Sequence, residues 1–242
     1  MNEQSVDDQP FQGRQIVSFV RRGSRLVGPR ETYWQEHADD FVIDVPREHS
    51  STSVHPDFRF DAVAEYGREA PLTIEIGSGL GEAIAARAEQ QPERDFMAVE
   101  VYVPGVAGLL GRIGKAGLSN VRAVNADAID VLGSMIPAGT VDEVWTFFAD
   151  PWPKKRHHKR RLVQPEFAAI VATALRPGGT WRLATDWQEY AEQMLEVTDA
   201  AAEFDNPHGG YAPRFEGRIL TSFERKGMDA GREIFDIEAR RR

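Results

Sequence analysis

Three glycines at alternate positions follow a short apolar run, where residues 75–81 read EIGSGLG. Gly77, Gly79 and Gly81 allow a tight turn and a close approach of the backbone to a ligand at the start of the next helix. The dinucleotide fingerprint is G-x-G-x-x-G, whereas this chain has G-x-G-x-G with Glu75 two residues before it. A tight turn that binds nothing is the simpler alternative. The strand–glycine–helix context favours a ligand-binding loop.

Two further acids are predicted to lie at strand ends. Glu100 ends a second predicted strand, where a carboxylate can accept hydrogen bonds from ribose hydroxyls. Asp127 ends a third, in the sequence NAD, where it can accept from an adenine amino group. Acids at strand ends are usually only solvated, so neither is specific alone. Together they indicate a ligand-binding site more strongly, because ligands of open α/β sheets bind at the carboxyl ends of the strands.

A stiff turn, DPWP at 150–153, follows the fourth predicted strand and leads into KKRHHKRR at 154–161. Prolines on both sides of Trp152 restrict the loop, and a rigid surface turn would explain DPWP alone. The following run has six Lys or Arg and no acid in eight residues. Charge runs are usually solvated faces, but beside a candidate active site this one predicts RNA contact. His157 and His158 belong to this basic surface rather than to a metal site.

The overall charge argues at first against nucleic acid, since the chain carries −9. Without the six cations of 154–161 the rest of the chain would carry −15, so positive charge is focused in one segment. The absence of cysteine excludes disulfides, thiolate zinc sites and cysteine nucleophiles. We see no secretory signal and no apolar stretch of about 18 residues, so we expect a soluble cytoplasmic protein with no membrane contact.

Alternating strands and helices predict how these residues are positioned. Strands are predicted at 72–76, 96–101, 121–127, 141–150 and 179–186, with helices at 82–90, 165–175 and 187–204, and a hairpin of strands 218–227 and 231–241. This order predicts a doubly wound α/β fold with a mostly parallel sheet that ends in an antiparallel hairpin. By analogy of fold it resembles the seven-stranded, Rossmann-like methyltransferase sheet. Residues 1–60 are expected to form a basic, partly mobile arm with a short helix near 31–37, and residues 61–242 the domain.

The motifs EIGSGLG, VEVYVPGV, NADAIDVL, DPWPKKRHHKRR, LATDW and TSFERKG together resemble the bacterial tRNA (guanine-N7-)-methyltransferase family. The resemblance runs from about Leu72 to Phe235, and SFVRRGSRL at 18–26 is weakly similar to that family's basic arm. It implies S-adenosylmethionine as methyl donor, no metal, and tRNA as partner. The implied product is 7-methylguanosine at position 46, in the variable loop.

The resemblance also implies roles for individual residues. Asp150 is implied to be catalytic. Implied cofactor ligands are Glu75, Gly77, Gly79, Gly81, Glu100, Asn125, Asp127 and Asp150; implied substrate contacts are Lys154, Asp186, Thr221, Ser222, Phe223 and Glu224; implied RNA contacts are Arg156, His157, His158, Lys159, Arg160 and Arg161. The chain departs from the family's pattern at Ala149, where proline is common, and at Tyr102, where histidine is common, and both departures leave the neighbouring acids in place.

The chemistry of guanine N7 needs no general base, because its in-plane lone pair attacks a methyl group directly. The implied role of Asp150 is therefore to position the base and stabilise arriving positive charge. Asp186 or Glu224 would accept hydrogen bonds from the guanine N1–H and amino group. Three alternatives stay open: a nicotinamide-dependent dehydrogenase, a catalytically silent RNA-binding relative, and a methyltransferase acting on another base or on a protein.

Overall fold

Seven strands build one sheet in the computed structural model of the chain, which describes residues 25–242. They are β1 Leu72–Ile76, β2 Asp95–Val99, β3 Val121–Val124, β4 Val141–Phe147, β5 Leu175–Thr185, β6 Phe204–Asp205 and β7 Phe235–Arg241. The strand order is β3-β2-β1-β4-β5-β7-β6. Strands β1 to β5 pair in parallel, and β7 runs antiparallel to β5 and β6. The predicted fold class is confirmed.

Helices connect these strands and cover both faces of the sheet. They are α1 Pro29–Phe41, α2 Ala62–Tyr66, α3 Glu82–Gln90, α4 Val103–Ala116, α5 Ala128–Asp130, α6 Pro165–Ala174, α7 Gln188–Ala200 and α8 Ser222–Asp229, with a π-helix at Val131–Met135 and a 3-10 helix at Lys155–Arg160. Alternate residues of β2 show the two faces. Phe96 and Ala98 belong to the core cluster that includes residues of α3 and α4, whereas Met97 and Val99 belong to the cluster on the other face, which includes residues of α6 and α7. Burial on both faces explains the near-continuous apolar runs of the parallel strands.

The predicted elements up to α7 are confirmed, with differences at their ends. Helix α3 has the predicted bounds, whereas α7 ends at Ala200 instead of 204. Strand β5 begins at Leu175, before the Pro-Gly-Gly sequence, and an irregular register between Val141 and Glu143 accommodates this longer start. Glu100, Asp127 and Asp150 lie one to three residues beyond β2, β3 and β4, so they follow the strands rather than end them.

The predicted C-terminal hairpin is corrected in its first half. Residues 218–227 are not a strand, because helix α8 begins at Ser222. The Thr221 side chain accepts a hydrogen bond from the Glu224 backbone N–H at 3.2 Å and so caps this helix. Thr221 and Glu224 fit the S/T-x-x-E pattern that marks helix starts, a signal that the strand prediction missed. The antiparallel C-terminal strand β7 is confirmed, with β5 and β6 as its neighbours.

Part of the predicted arm packs on the sheet. The short helix expected near 31–37 is present as the longer α1, and it lies against α4 where Gly111 and Gly114 leave room for Tyr33 and His37. Further along, the core includes Ile43, Val45, Val54 and Phe60. The basic segment 18–24 lies outside the described residues, so the division of the chain at residue 61 stays a prediction.

Candidate active site

A cavity of about 340 Å³ opens where β1, β2 and β4 end. Its wall includes Glu75 from β1, Glu100 after β2, and Asp150 after β4. The first turn of α8 closes another side with Thr221, Ser222 and Phe223. The three acids predicted separately from strand ends therefore meet in one cavity, as expected for the carboxyl edge of a parallel sheet.

The glycine loop forms one wall of this cavity in a conformation that favours glycine. Gly77, Gly79 and Gly81 have φ angles of 69°, 57° and 69°, a region that other residues rarely adopt. Gly77 and Gly79 line the cavity. Gly81 does not, and a Cβ atom there would clash with Leu109. The structure therefore gives Gly81 a packing role between the loop and α4, while Gly77 and Gly79 leave open backbone beside the cavity.

Glu75 is buried at the base of the cavity with an unsatisfied oxygen. Its Oε2 atom has no hydrogen-bond partner among the described residues, and the same holds for the Ser78 hydroxyl nearby in the loop. Burial raises the pKa of Glu75 to about 8; a backbone hydrogen bond from Ile84 lowers it, and the Glu100 carboxylate raises it. Buried polar groups are rarely left unpaired in proteins. These two atoms are suited to a ligand with a cationic donor and polar groups.

Glu100 is fixed by the glycine loop and by its own strand end. One carboxylate oxygen accepts from the Gly79 N–H at 2.8 Å and the other from the Tyr102 N–H at 2.9 Å. Burial raises its pKa, these backbone donors lower it, and the charge of Asp150 raises it. The Val101 backbone is a third donor to this carboxylate, which has about four acceptor positions and so retains capacity for a ligand hydroxyl.

Two predicted cofactor ligands lie beside the cavity rather than in its wall. The Asn125 side chain donates to the Glu100 carbonyl at 2.8 Å. The Asp127 side chain accepts from the Ile129 N–H at 2.9 Å and caps α5. Their neighbours Ala126 and Ile129 do line the cavity. Direct contact of Asn125 and Asp127 with a cofactor stays a prediction.

The DPWP loop has an unusual backbone on both sides of Asp150. Phe148 and Trp152 have φ angles of 54° and 43°, and within residues 25–242 they are the non-glycine residues with positive φ. Both side chains line the cavity. Such conformations cost energy and cluster at functional sites. The loop holds Asp150 at the cavity with an exposed side chain.

The predicted basic run forms the 3-10 helix 155–160, which is attached to the cavity through Trp152. The Arg160 guanidinium lies 5.0 Å from the Trp152 ring centroid, and the His157 ring meets the same indole edge-on at 5.8 Å. Arg160 also lines the cavity, and Arg156 and Lys159 are exposed. Lys154 is exposed but does not line the cavity, so its substrate contact stays a prediction.

Arg161 requires a correction, because it is only 1% exposed. Its Nε donates to the Pro151 carbonyl at 2.7 Å and its Nη1 to Gln193 at 2.7 Å. The predicted RNA contact by Arg161 is wrong for this structure; the residue holds the DPWP loop onto α7 instead. His158 is half-buried, and its Nε2 atom lies 3.5 Å from Oε1 of Glu189, so it also contacts α7.

The acids predicted to read guanine also require correction. Glu224 is 1% exposed, and its carboxylate is held by Arg214 at 3.1 Å and by Arg218 at 2.8 Å. Asp186 accepts from the Arg232 Nε at 2.8 Å. Neither acid lines the cavity, so the structure does not place either at a bound base. These three arginines are not among the predicted site residues, because no local sequence pattern identifies them as partners of the two acids.

Glu82 is a further site residue that the sequence analysis missed. It is the first residue of α3, directly after the glycine loop, and it lines the cavity. Its carboxylate accepts from the Ser222 N–H at 2.6 Å and from the Ser222 hydroxyl at 2.9 Å. An acid in the first turn of a helix is favourable in any protein, so the sequence alone did not single it out. The contact ties the cofactor side of the cavity to α8.

Metal-binding groups and membrane-spanning helices are both absent from the described residues. Within residues 25–242, no group of three or more His, Asp or Glu side chains is arranged to hold a metal ion. Over the same residues, none of the helices has the length and hydropathy needed to cross a bilayer.

The chain resembles methyltransferases both in sequence and in fold. A family model described as "Putative methyltransferase" matches residues 69–237. The 16S rRNA methyltransferase KamB aligns over 76% of this chain and 95% of its own, with a TM-score of 0.56 and 18% identity. A 16S rRNA (adenine(1408)-N(1))-methyltransferase from Catenulisporales acidiphilia aligns over 78% of this chain and 92% of its own, with a TM-score of 0.53 and 16% identity. At these identities the structural similarity shows the fold alone.

Sequence relatives are much more similar. A protein of Arthrobacter sp. (strain FB24) named tRNA (guanine-N(7)-)-methyltransferase is 49% identical, over 95% of this chain and 87% of that protein. A relative of the same name from Cutibacterium acnes is 49% identical over 94% of this chain and 84% of its own. Another, from Nocardioides sp., is 45% identical over 95% and 88%. The chain therefore belongs to the tRNA (guanine-N(7)-)-methyltransferase family.

Proposed function

We propose that this chain transfers a methyl group from S-adenosylmethionine to N7 of a guanine in tRNA, giving 7-methylguanosine. The observation that carries the proposal is a single cavity with buried acids at its base and a basic helix at its rim, in a member of this family. The finer assignment, guanine 46 of the variable loop, comes from the family resemblance. With tRNA as substrate, we also propose a cytoplasmic location.

The residues of the cavity fit the cofactor. The unsatisfied Glu75 oxygen would accept from its ammonium group, and Glu100 from its ribose hydroxyls. Gly77 and Gly79 leave the backbone open to close approach. When bound, S-adenosylmethionine supplies a methyl group on positively charged sulfur, which keeps the electron pair of the broken C–S bond as the methyl group leaves.

Asp150 is proposed as the catalytic residue through electrostatics. Guanine N7 forms the new bond with its own lone pair, so no proton has to be removed and no base is needed. The purine becomes cationic in the reaction. Asp150 sits at the cavity rim and its charge already acts on Glu100, whose pKa it helps to raise. A fixed carboxylate near the base favours the state in which positive charge has arrived there.

The basic 3-10 helix is proposed to bind tRNA phosphates. Arg156 and Lys159 are exposed on it, and Arg160 reaches from it to the cavity. Phosphate contacts position a nucleic acid without reading its sequence. The target guanine must be unstacked to enter the cavity, and loop nucleotides permit this more easily than a duplex does.

Direct analysis of the methylated nucleoside tests the function. The purified chain is incubated with labelled S-adenosylmethionine and an unmodified tRNA transcript, and the digested product is analysed for 7-methylguanosine. A matched transcript carrying 7-deazaguanosine at position 46 has a carbon in place of N7 and should accept no methyl group there. Label on another base would favour the alternative of a different RNA methyltransferase, and tRNA binding without label would favour a catalytically silent relative.

A further inference from the structure

A second groove lies beside the cavity, on the α4 side of the glycine loop. It has a volume of about 490 Å³ and is formed where the start of α1 meets the middle of α4. Leu80 of the glycine loop lines both the groove and the cavity, so the two share one wall. The other residues that line the groove do not line the cavity, and the proposed reaction uses none of them.

The groove and the cavity have opposite charges. The charged residues that line the groove are Arg30, Arg112 and Lys115, and no acid is among its lining, whereas the cavity wall includes four acids. Among the described residues, Arg112 pairs with Glu82 at 3.3 Å, but Arg30 and Lys115 form no ion pair. The whole chain carries −9, so a groove lined only by cations is a local concentration of positive charge. It suits an anionic ligand.

The cations of the groove stand on a fixed base. Arg112 and Lys115 are three residues apart on α4, so they lie on one face of the helix, and both are exposed. The Arg112 Nε donates to the Leu80 carbonyl at 3.0 Å. Between α1 and α4, the Tyr33 ring lies where a Cβ atom at Gly111 would stand, so the glycine lets the two helices approach closely. The groove is therefore built by packing of the fold.

The strand order places the groove and the basic 3-10 helix on opposite sides of the cavity. Strand β1 lies between β2 and β4 in the sheet. The groove is on α4, which follows β2, and the 3-10 helix 155–160 follows β4. An RNA whose guanine enters the cavity continues away from it in both directions. One flank of the RNA can then meet the 3-10 helix while the other meets the groove.

We propose that this groove binds backbone phosphates of the same tRNA whose guanine enters the cavity, through Arg30, Arg112 and Lys115. The inference rests on the proposed function. Phosphate contacts set the register and orientation of a nucleic acid without reading its bases. Contacts on both flanks fix the direction in which the RNA crosses the cavity, which the 3-10 helix alone does not.

The salt dependence of tRNA affinity tests the charges of the groove. Replacing Arg30 and Lys115 together by alanine should flatten the slope of log affinity against log salt by about 1.4 to 1.8. The pair Arg30→Lys and Lys115→Arg keeps both charges and should restore the slope. Arg59→Ala with Arg240→Ala is the matched control, because both residues are exposed and line neither the groove nor the cavity. Arg112 stays unaltered in these variants, because its loss would also disturb the glycine loop.

A cleavage probe shows whether the RNA reaches the groove. The chain has no cysteine, so Lys115→Cys provides a single attachment point for an iron–EDTA group. We expect it to cut bound tRNA at nucleotides different from those cut from Arg156→Cys on the 3-10 helix, while Arg240→Cys serves as the control. Cleavage no stronger than from Arg240→Cys, cleavage of the same nucleotides as from Arg156→Cys, or an unchanged salt slope would overturn the proposal.

These measurements separate the groove from the proposed function, because both use tRNA binding alone. If the unaltered protein binds tRNA and forms no 7-methylguanosine, the proposed function fails. A flattened slope and cleavage from Lys115→Cys would in that case still support the groove as a tRNA-binding surface.

Discussion

Binding of S-adenosylmethionine should strengthen by about ninefold as the pH rises from 6 to 7, because Glu75 must lose a proton to pair with the ligand ammonium group. With its pKa raised by burial to about 8, about 1% of Glu75 is ionised at pH 6 and about 9% at pH 7 in the unliganded protein. The ligand's own α-amino group stays largely protonated in this range, since its pKa lies near ~8. The pH dependence is therefore assigned to the protein.

Proton release accompanies this binding. At pH 7 roughly 0.9 proton per site should leave, because a nearby cation stabilises the ionised form of Glu75. Isothermal titration calorimetry in buffers of different ionisation enthalpy counts these protons. Glu75→Gln is the comparison, since it keeps the shape of the side chain and cannot ionise. Its affinity should be weaker at pH 7 and should not change with pH through this group.

The comparison also separates Glu75 from its neighbour. Burial raises the pKa of Glu100 as well, so some pH dependence can survive in Glu75→Gln. The difference between the two proteins isolates the contribution of Glu75. Equal slopes of log affinity against pH, with equal proton release, would refute the pairing of Glu75 with the ammonium group. The free energy of unfolding of the unliganded protein should also depend on pH through Glu75. The contribution of its protonated form is complete below pH ~4.5 and is lost as the pH rises to about 8.

Three further changes test other parts of the site. Asp150→Asn should lower methyl transfer by roughly 10²–10³ in a radiometric assay while Tm stays unchanged, because an exposed electrostatic group is lost. Replacing the exposed Arg156 and Lys159 together by alanine should flatten the slope of log tRNA affinity against log salt by about 1.4 to 1.8, whereas Arg161→Ala should leave that slope unchanged and lower Tm. Glu224→Gln should lower the free energy of unfolding by roughly 3 kcal/mol in urea titrations, since the buried Arg218 loses one of its two anionic partners; an unchanged midpoint would contradict this ion pair.

The cofactor half of the site was predictable because local patterns determine it. An apolar run, alternating glycines and an amphipathic segment predict β1, the loop and α3, and the observed bounds agree. Glu75, Glu100 and Asp150 then meet because carboxyl ends of parallel strands share one edge of a sheet. No side-chain contact had to be known for this inference.

The substrate half was less predictable because its side chains are placed by distant partners. A run of six cations predicts a basic surface. It does not predict that the Arg161 side chain is buried and donates hydrogen bonds to Pro151 and Gln193. The sequence predicted that Glu224 contacts the guanine base. Its ion pairs with Arg214 and Arg218 form only in the folded chain. From a sequence, the position of a carboxylate at a strand end is therefore easier to predict than the side chain with which it forms an ion pair.

The distribution of charge explains how one cavity can accept a cation and a polyanion together. The Glu100 charge raises the pKa of Glu75, and the Asp150 charge raises the pKa of Glu100, so the base of the cavity favours a positive ligand. The exposed cations lie outside, on the 3-10 helix 155–160, where phosphates can reach them without entering the cavity. Trp152 joins the two regions, since it lines the cavity and carries Arg160 against its ring. Because the two charges are separated in this way, we expect phosphates to be held at the rim while the neutral face of guanine meets the aromatic and acidic groups inside.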